Sequence, residues 1–179
     1  MTEFDNIFQV SSSNLRFGAG ATCEIGLDLE DMGLKRTLLV IDPALRELPT
    51  GQIVLEALRK SRVDFDVFDA VEVEPTDASF QEATTIAARG GFDSFVAVGG
   101  GSTIETAKAA NLYSTHPADF LHYVNAPIGR GQPIPGPLKP LIAVPTTAGT
   151  GSETTGTAIF DLVSQHAKTG IAHRHLRPL

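Results

Sequence analysis

Two glycine- and hydroxyl-rich segments carry the residue types in this chain best suited to holding a ligand. The first is Gly99-Gly100-Gly101-Ser102-Thr103, set between the apolar run Phe95 to Val98 and a helical pattern. Three successive glycines let the backbone turn sharply and let a ligand approach with no Cβ in the way. A helix beginning there offers unpaired N–H groups and a partial positive charge, which suit a phosphate. The alternative is a tight strand-to-helix turn that binds nothing. Neither common phosphate fingerprint is present: the Gly-Lys-Ser/Thr ending of a P-loop is missing, and Ile104 stands where the dinucleotide fingerprint needs its third glycine.

The second segment runs from Pro145 through Thr146, Thr147, Thr150 and Gly151 to Ser152, directly after the apolar run Leu141 to Val144. From Leu141 to Ser152 it carries no charge but four hydroxyls and two glycines. Such a segment can wrap a neutral or anionic ligand with O–H and N–H donors, or it can be a capped turn. Asp42 follows a third apolar run, at the strand end where ligands of open α/β sheets bind. Its carboxylate can accept both hydroxyls of a ribose and would repel a 2′-phosphate, or it can simply start an Asp-Pro turn. Lys108, in the helix after the glycines, is expected to face phosphate or, more simply, solvent. His116, His122 and His166 are scattered. His173 and His175 have a strand-like spacing near the end, and no metal site is expected among them.

Short β-rich runs alternate with helical patterns, which predicts a parallel sheet with helices on its faces. Extended stretches at Phe8 to Val10 and Leu15 to Phe17 come first. Thr22 is expected to cap a helix with Ile25, Leu29 and Met32 on one face and Gly33 as its stop. Thr37 to Ile41 reads as a buried strand, and Thr50 opens a helix with Ile53, Ala57 and Leu58 inward. Phe65 to Phe68 alternates with acids as an edge strand does. Thr76 caps a helix that turns Phe80, Ala83, Thr84, Ala87 and Ala88 inward. Ser94 to Val98 is the clearest strand and Thr103 to Ser114 the clearest helix. Asn125 to Pro140, with five prolines and three glycines, predicts a long surface loop. Leu141 to Val144 and Thr157 to Phe160 complete the strands.

At 179 residues the chain can bury one substantial core. Its net charge of −7 and lack of a basic cluster argue against nucleic acid or an anionic membrane as partner. Cys23 is the only cysteine, so no internal disulfide forms. The start, with two acids and no base in ten residues, is wrong for a secretory signal or an Arg-rich transit peptide. A cytoplasmic protein is the default expectation, with a mitochondrial one as the alternative if a transit peptide has been removed.

Taken together, Gly99 to Lys108, Pro145 to Glu153 and the strand ending at Asp42 resemble the signature segments of the iron-containing (group III) alcohol dehydrogenases. The resemblance covers essentially the whole chain. Within that family, Val73 to Asp77, Ala109 to Tyr113, Ala126 to Gly129 and Leu138 to Val144 look most like a particular branch. That branch passes a hydride from 4-hydroxybutyrate to 2-oxoglutarate through a bound nicotinamide carrier. The resemblance implies an α/β fold: a Rossmann-like parallel sheet with flanking helices, with residues 1–179 forming the nucleotide-binding domain.

The resemblance also implies roles for individual residues, with NAD as cofactor. Gly99, Gly100, Gly101 and Ser102 would cradle its pyrophosphate and Asp42 would hold the adenosine ribose. Thr146, Thr147, Thr150 and Ser152 would line the pyrophosphate and nicotinamide-ribose side, with Lys168 near that ribose. Glu105 stands where the family usually has Asp. Family members are roughly twice this length, and they bind a divalent metal, iron or zinc, through one Asp and three His of a helical second domain. Those ligands are expected beyond Leu179, so no catalytic or metal residue is assigned here. An alcohol or hydroxyacid would be the substrate, and the chain alone would be inactive. A face left bare by the missing domain would favour association into a homo-oligomer. Glycerol dehydrogenase and dehydroquinate synthase share a glycine-rich loop and are the rivals within the superfold. A nucleotide-binding module without catalysis is the rival from another class.

Overall fold

The computed structural model describes residues 13–179. The expectation for Phe8 to Val10 therefore lies outside the described residues. Four strands, β1 (Arg36–Ile41), β2 (Asp64–Phe68), β3 (Ser94–Gly99) and β4 (Leu141–Pro145), form one parallel sheet in the order β2-β1-β3-β4. The two central strands read as near-continuous apolar runs because both of their faces are covered. Leu39 and Ile41 of β1 and Val96 and Val98 of β3 meet α1 (Ile25–Asp31) and α2 (Pro49–Lys60). Leu38, Val40, Phe95 and Ala97 point the other way, onto α3 (Asp77–Arg89) and α4 (Gly101–Thr115). β2 is an edge strand, as its alternating acids predict, and β4 is the other.

A further layer closes the far side of α3 and α4. There an antiparallel hairpin, β5 (Thr157–Leu162) and β6 (Ala167–Ala172), packs Ala158, Phe160, Leu162 and Ile171 against Phe80, Ala109 and Leu112. Helix α4 is thus enclosed between sheet and hairpin, and it buries an almost unbroken run from Thr103 to Tyr113. A helix buried on all sides has no polar stripe to show to water. The Pro-rich stretch 125–140 is irregular, as predicted, but it is more than surface: Ile134 is buried and Leu138 packs on the same cluster.

Several local expectations are corrected. Leu15 to Phe17 joins no strand among the described residues, and Leu15 and Phe17 are exposed. Thr22 caps nothing; it lies inside a single 3₁₀ turn, Ala21–Glu24, that leads into α1. The stop at Gly33 is as expected (φ 74°): its N–H donates to Glu30 O and that of Leu34 to Leu29 O, the paired bonds of a Schellman end. Met32 and Ile53 are more than a third exposed, because the buried stripes run through Ile25 and Leu29 and through Val54, Leu55 and Leu58. Thr84 is half-buried and Ala88 exposed, so the stripe of α3 is narrower than its spacing suggests. His173 and His175 sit on a 3₁₀ turn (Arg174–Leu176), not a strand.

Thr76 starts α3 as expected, and the cap is reciprocal: Thr76 Oγ1 accepts from the Ser79 N–H at 3.1 Å, and Ser79 Oγ accepts from the Thr76 N–H at 2.9 Å. Replacing Thr76 with Ala should lower the unfolding free energy by about 1 kcal/mol. Urea denaturation followed by circular dichroism checks this; an unchanged midpoint would show that the cap contributes nothing.

Candidate functional site: a cleft at the strand ends

The chain leaves β1 toward β2 on one side and β3 toward β4 on the other, so neighbouring loops part at the carboxyl ends of β1 and β3. Ligands of open parallel sheets bind at such a point. The Asp42 N–H donates to Val98 O at 3.0 Å and the Thr146 N–H to Gly99 O at 3.0 Å, which draws three strand ends together. Above them lies a cleft of about 520 Å³. Its floor comes from Asp42 after β1, Gly100 to Thr103 after β3, and Thr146, Thr147 and Thr150 after β4. Val73 to Pro75 after β2 form one wall, and Ile159, Phe160 and Lys168 of the hairpin the other.

Each glycine of the triplet answers to a different neighbour. A Cβ at Gly99 would stand 2.2 Å from Thr103 Oγ1, so this glycine lets the first helical turn fold back on the strand. A Cβ at Gly100 would stand 3.1 Å from Thr147 Oγ1, and one at Gly101 2.9 Å from Thr150 Oγ1. The two loops therefore approach each other backbone to hydroxyl. Helix α4 begins at Gly101, two residues earlier than predicted, and no side chain caps it. Its first N–H groups open on the cleft, in contrast to those of α3, which Thr76 satisfies. An uncapped N-terminus of a 15-residue helix behind side-chain-free backbone fits the pyrophosphate of a dinucleotide.

Of the predicted site residues, Asp42, Gly100, Gly101, Ser102, Thr146, Thr147, Thr150 and Lys168 line the cleft. Gly99 and Ser152 stand behind it. Ser152 is buried; its hydroxyl contacts Thr150 Oγ1 and donates to Glu105 Oε1, each at 3.1 Å. This supplies the partner that Glu105 lacked in the sequence reading. Burial raises the Glu105 pKa, against the pull of Ser152 and Lys108. Asp42 is a turn residue, its Oδ1 accepting from the Ala44 N–H at 2.9 Å, and it also borders the cleft. Lys168 lies 3.5 Å from Glu74 and 3.9 Å from Asp161.

Two residues were misjudged or missed. Lys108 faces neither phosphate nor solvent. It is 1% exposed, and its ammonium donates to the carbonyls of Ser152, Thr155 and Thr157 at 2.6, 2.7 and 2.8 Å. Glu74 was not singled out as a site residue. Its backbone is left-handed (φ 55°), its N–H donates to Ser102 Oγ at 3.2 Å, and its carboxylate meets Lys168. A non-glycine residue in that conformation carries no sequence signal.

A metal does not fit these residues. Among the described residues no three His, Cys, Asp or Glu side chains gather closely enough to hold an ion. His173 Nδ1 is already taken, accepting from the His175 N–H at 3.2 Å.

The fold is that of a Rossmann-like α/β domain with a cleft at its strand ends, and comparison with known proteins gives its family. Residues 12–179 match the family model "Iron-containing alcohol dehydrogenase", and the chain belongs to that family. Among curated relatives it is 57% identical over 175 residues to mouse (Mus musculus) hydroxyacid-oxoacid transhydrogenase, mitochondrial, and 54% identical to the human (Homo sapiens) protein of that name. Those matches span 97% of this chain but 38% of each relative's length. Among solved structures, a 1,3-propanediol oxidoreductase superposes with a TM-score of 0.86 at 30% identity, covering 96% of this chain and 44% of that one. A sulfoacetaldehyde reductase from Bifidobacterium kashiwanohense in complex with NAD+ gives 0.85 at 26%, again covering 96% and 44%. The relatives' names place them in mitochondria, so the cytoplasmic default gains no support from them, and the mitochondrial alternative agrees. Among the described residues no helix is long and apolar enough to cross a membrane.

Burial pulls the Lys108 pKa from its ordinary 10.5 down to about 8. The unfolded chain therefore holds more protons between those values, and stability rises with pH across that window. The cost of burying the charge is fully present below pH 8 and is relieved toward 10.5, on the order of 3 kcal/mol in all. The unfolding free energy of the wild type minus that of Lys108→Met should accordingly climb from about pH 8 toward about pH 10.5. A flat difference in urea titrations would show that the three carbonyl acceptors offset the desolvation of the ammonium.

Proposed function

We propose that this chain is the NAD-binding domain of a metal-assisted oxidoreductase that moves a hydride between an alcohol or hydroxyacid and the nicotinamide. The observation that carries this reading is the uncapped α4 N-terminus facing the hydroxyl loop across glycines whose Cβ atoms would crowd that loop's hydroxyls. The cleft bears Asp42, Glu74 and Glu105 and a single lysine, Lys168, so side-chain charge does not hold a phosphate there. Backbone N–H groups of Gly101, Ser102 and Thr103 would hold the pyrophosphate, with the hydroxyls of Thr147 and Thr150 opposite. Asp42 Oδ2, which makes no hydrogen bond among the described residues, would accept the adenosine ribose hydroxyls. Lys168 would lie toward the nicotinamide ribose, steered by Glu74 and Asp161.

Bound NAD supplies a hydride acceptor that no amino acid provides. The chain's own residues orient the dinucleotide and keep its phosphates out of bulk water. The likeness to hydroxyacid-oxoacid transhydrogenases supports a hydroxyacid such as 4-hydroxybutyrate as substrate and a mitochondrial setting. Metal ligands would come from a helical domain outside these residues, so we assign no catalytic or metal residue to residues 1–179.

Gly100→Val would press a branched side chain on Thr147 and fill the pyrophosphate path. Calorimetric titration should show NAD affinity lost with the fold retained; unchanged binding would refute the site. Asp42→Asn keeps an acceptor for the Ala44 N–H but removes the charge. It should narrow the preference for NAD over its 2′-phosphorylated form by about tenfold or more. An unaltered ratio of the two affinities would leave Asp42 as a turn residue only.

A further inference from the structure

We propose that Lys108, with Glu105 one turn before it, is the positioning device that sets the hydroxyl loop 146–157 at its distance from the glycine triplet. This rests on the reading of the cleft as a dinucleotide site. Gly101, Glu105 and Lys108 follow one another along the face of α4 turned to that loop. Each touches the same short stretch. Gly101 takes the close approach of Thr150 and Ser152, with Thr150 Oγ1 and Ser152 Oγ 2.9 and 3.2 Å from where a Cβ would stand. Glu105 accepts from Ser152 Oγ. Lys108 reaches under the loop to three of its carbonyls.

Three ammonium protons meet three acceptors, so Lys108 has no donor left for a ligand. It acts through the loop and not on the nucleotide. The carbonyls it gathers come from Ser152, Thr155 and Thr157, and β5 begins at Thr157. One side chain therefore ties the end of the hydroxyl loop to the start of the hairpin that forms the opposite cleft wall. The stretch has a turn of its own, in which the Thr154 and Thr155 N–H groups donate to Gly151 O at 2.9 and 3.2 Å, and the His173 N–H donates to Gly156 O at 2.8 Å. Those bonds shape the turn and its exit, and the Lys108 ammonium is the group that fastens it to α4. A fixed loop spares the nucleotide the cost of ordering it, which is how a residue remote from the ligand affects affinity.

The test compares the 179-residue wild type with Lys108→Met, whose stem has similar length and no charge. Amide exchange of residues 150–157 should quicken by roughly tenfold or more, while that of β1 and β3 is unchanged. Calorimetry should show NAD weakened by about tenfold or more, the scale of lost hydrogen bonds to a charged group. Aminoethylation of the unfolded double variant Lys108→Cys, Cys23→Ser places an ammonium at nearly the lysine's reach, and on refolding it should restore both readouts. A merely space-filling role would leave the Met variant normal and the aminoethylated protein no better.

Should Lys108→Met fail to fold, acylation of lysines in the wild type decides. Lys108 should react far more slowly than the exposed Lys60, and NAD should slow it further, because coupling between loop and ligand is reciprocal. Normal exchange and affinity in Lys108→Met overturn the proposal, as does acylation of Lys108 that ignores bound NAD. A wild-type chain that binds no NAD overturns the nucleotide reading instead, and the exchange comparison then still decides whether Lys108 clamps the loop.

Discussion

Burying an ammonium inside a protein is tolerable only where every proton finds an acceptor and the charge has company. In this chain that condition shapes one end of the molecule. Helix α4 is packed on both sides, by the sheet and by the β5-β6 hairpin, so the lysine it carries at position 108 cannot reach water. The fold meets the demand with backbone: the loop after β4 bends until three of its carbonyls point at one nitrogen. Glu105, Glu153 and Arg177 set the surrounding charge, the two acids favouring the ammonium and the arginine opposing it. The hydroxyl face of the loop is then turned outward, toward the glycines at the start of the same helix.

The same helix thus serves both loops of the cleft. At its first turn it presents N–H groups behind the Cβ-free backbone of Gly100 and Gly101; one to two turns later it presents a carboxylate and an ammonium that meet the facing loop. The separation matters, because an anion is best held by dipoles that need no counter-charge nearby, whereas an irregular loop is best held by a group that can satisfy several carbonyls. The acids at the rim make the cleft hostile to negative charge everywhere but beside the helix N-terminus, so on the proposed function only a phosphate lodged there would escape their repulsion.

Membership in the iron-containing alcohol dehydrogenases agrees with this division of labour. The chain spans 38% of the length of the transhydrogenases it matches, and the described residues hold no cluster able to bind a metal. On the function proposed above, these residues would be the part of such an enzyme that holds the nucleotide. Val73 and Phe17 are more than four-fifths exposed, which leaves apolar surface both at the cleft wall and near the start of the described chain.

Sequence by itself determined the sheet strands, the helices between them and the two loops, because each is written locally. Apolar runs buried on both faces, Thr76 before a helical period, Gly33 after one and three glycines beside Ser102 all report backbone needs that one short segment can express. Asp42, Gly100, Gly101 and the threonines were therefore legible as one group at the strand ends, and the structure gathers them around one cleft. Tertiary structure alone decided what Lys108, Glu105 and Glu74 do. A lysine in a helical pattern reads as solvated, and only the hairpin folding over α4 from some fifty residues away removes the water and supplies carbonyls instead. Ser152 likewise carries its hydroxyl like its neighbours, yet it turns inward to Glu105, because direction relative to a distant helix is not encoded in a loop's own residues. Strand order and the meeting of the ends of β1, β3 and β4 were fixed by which faces could bury one another. That is a property of the whole core and of no single segment.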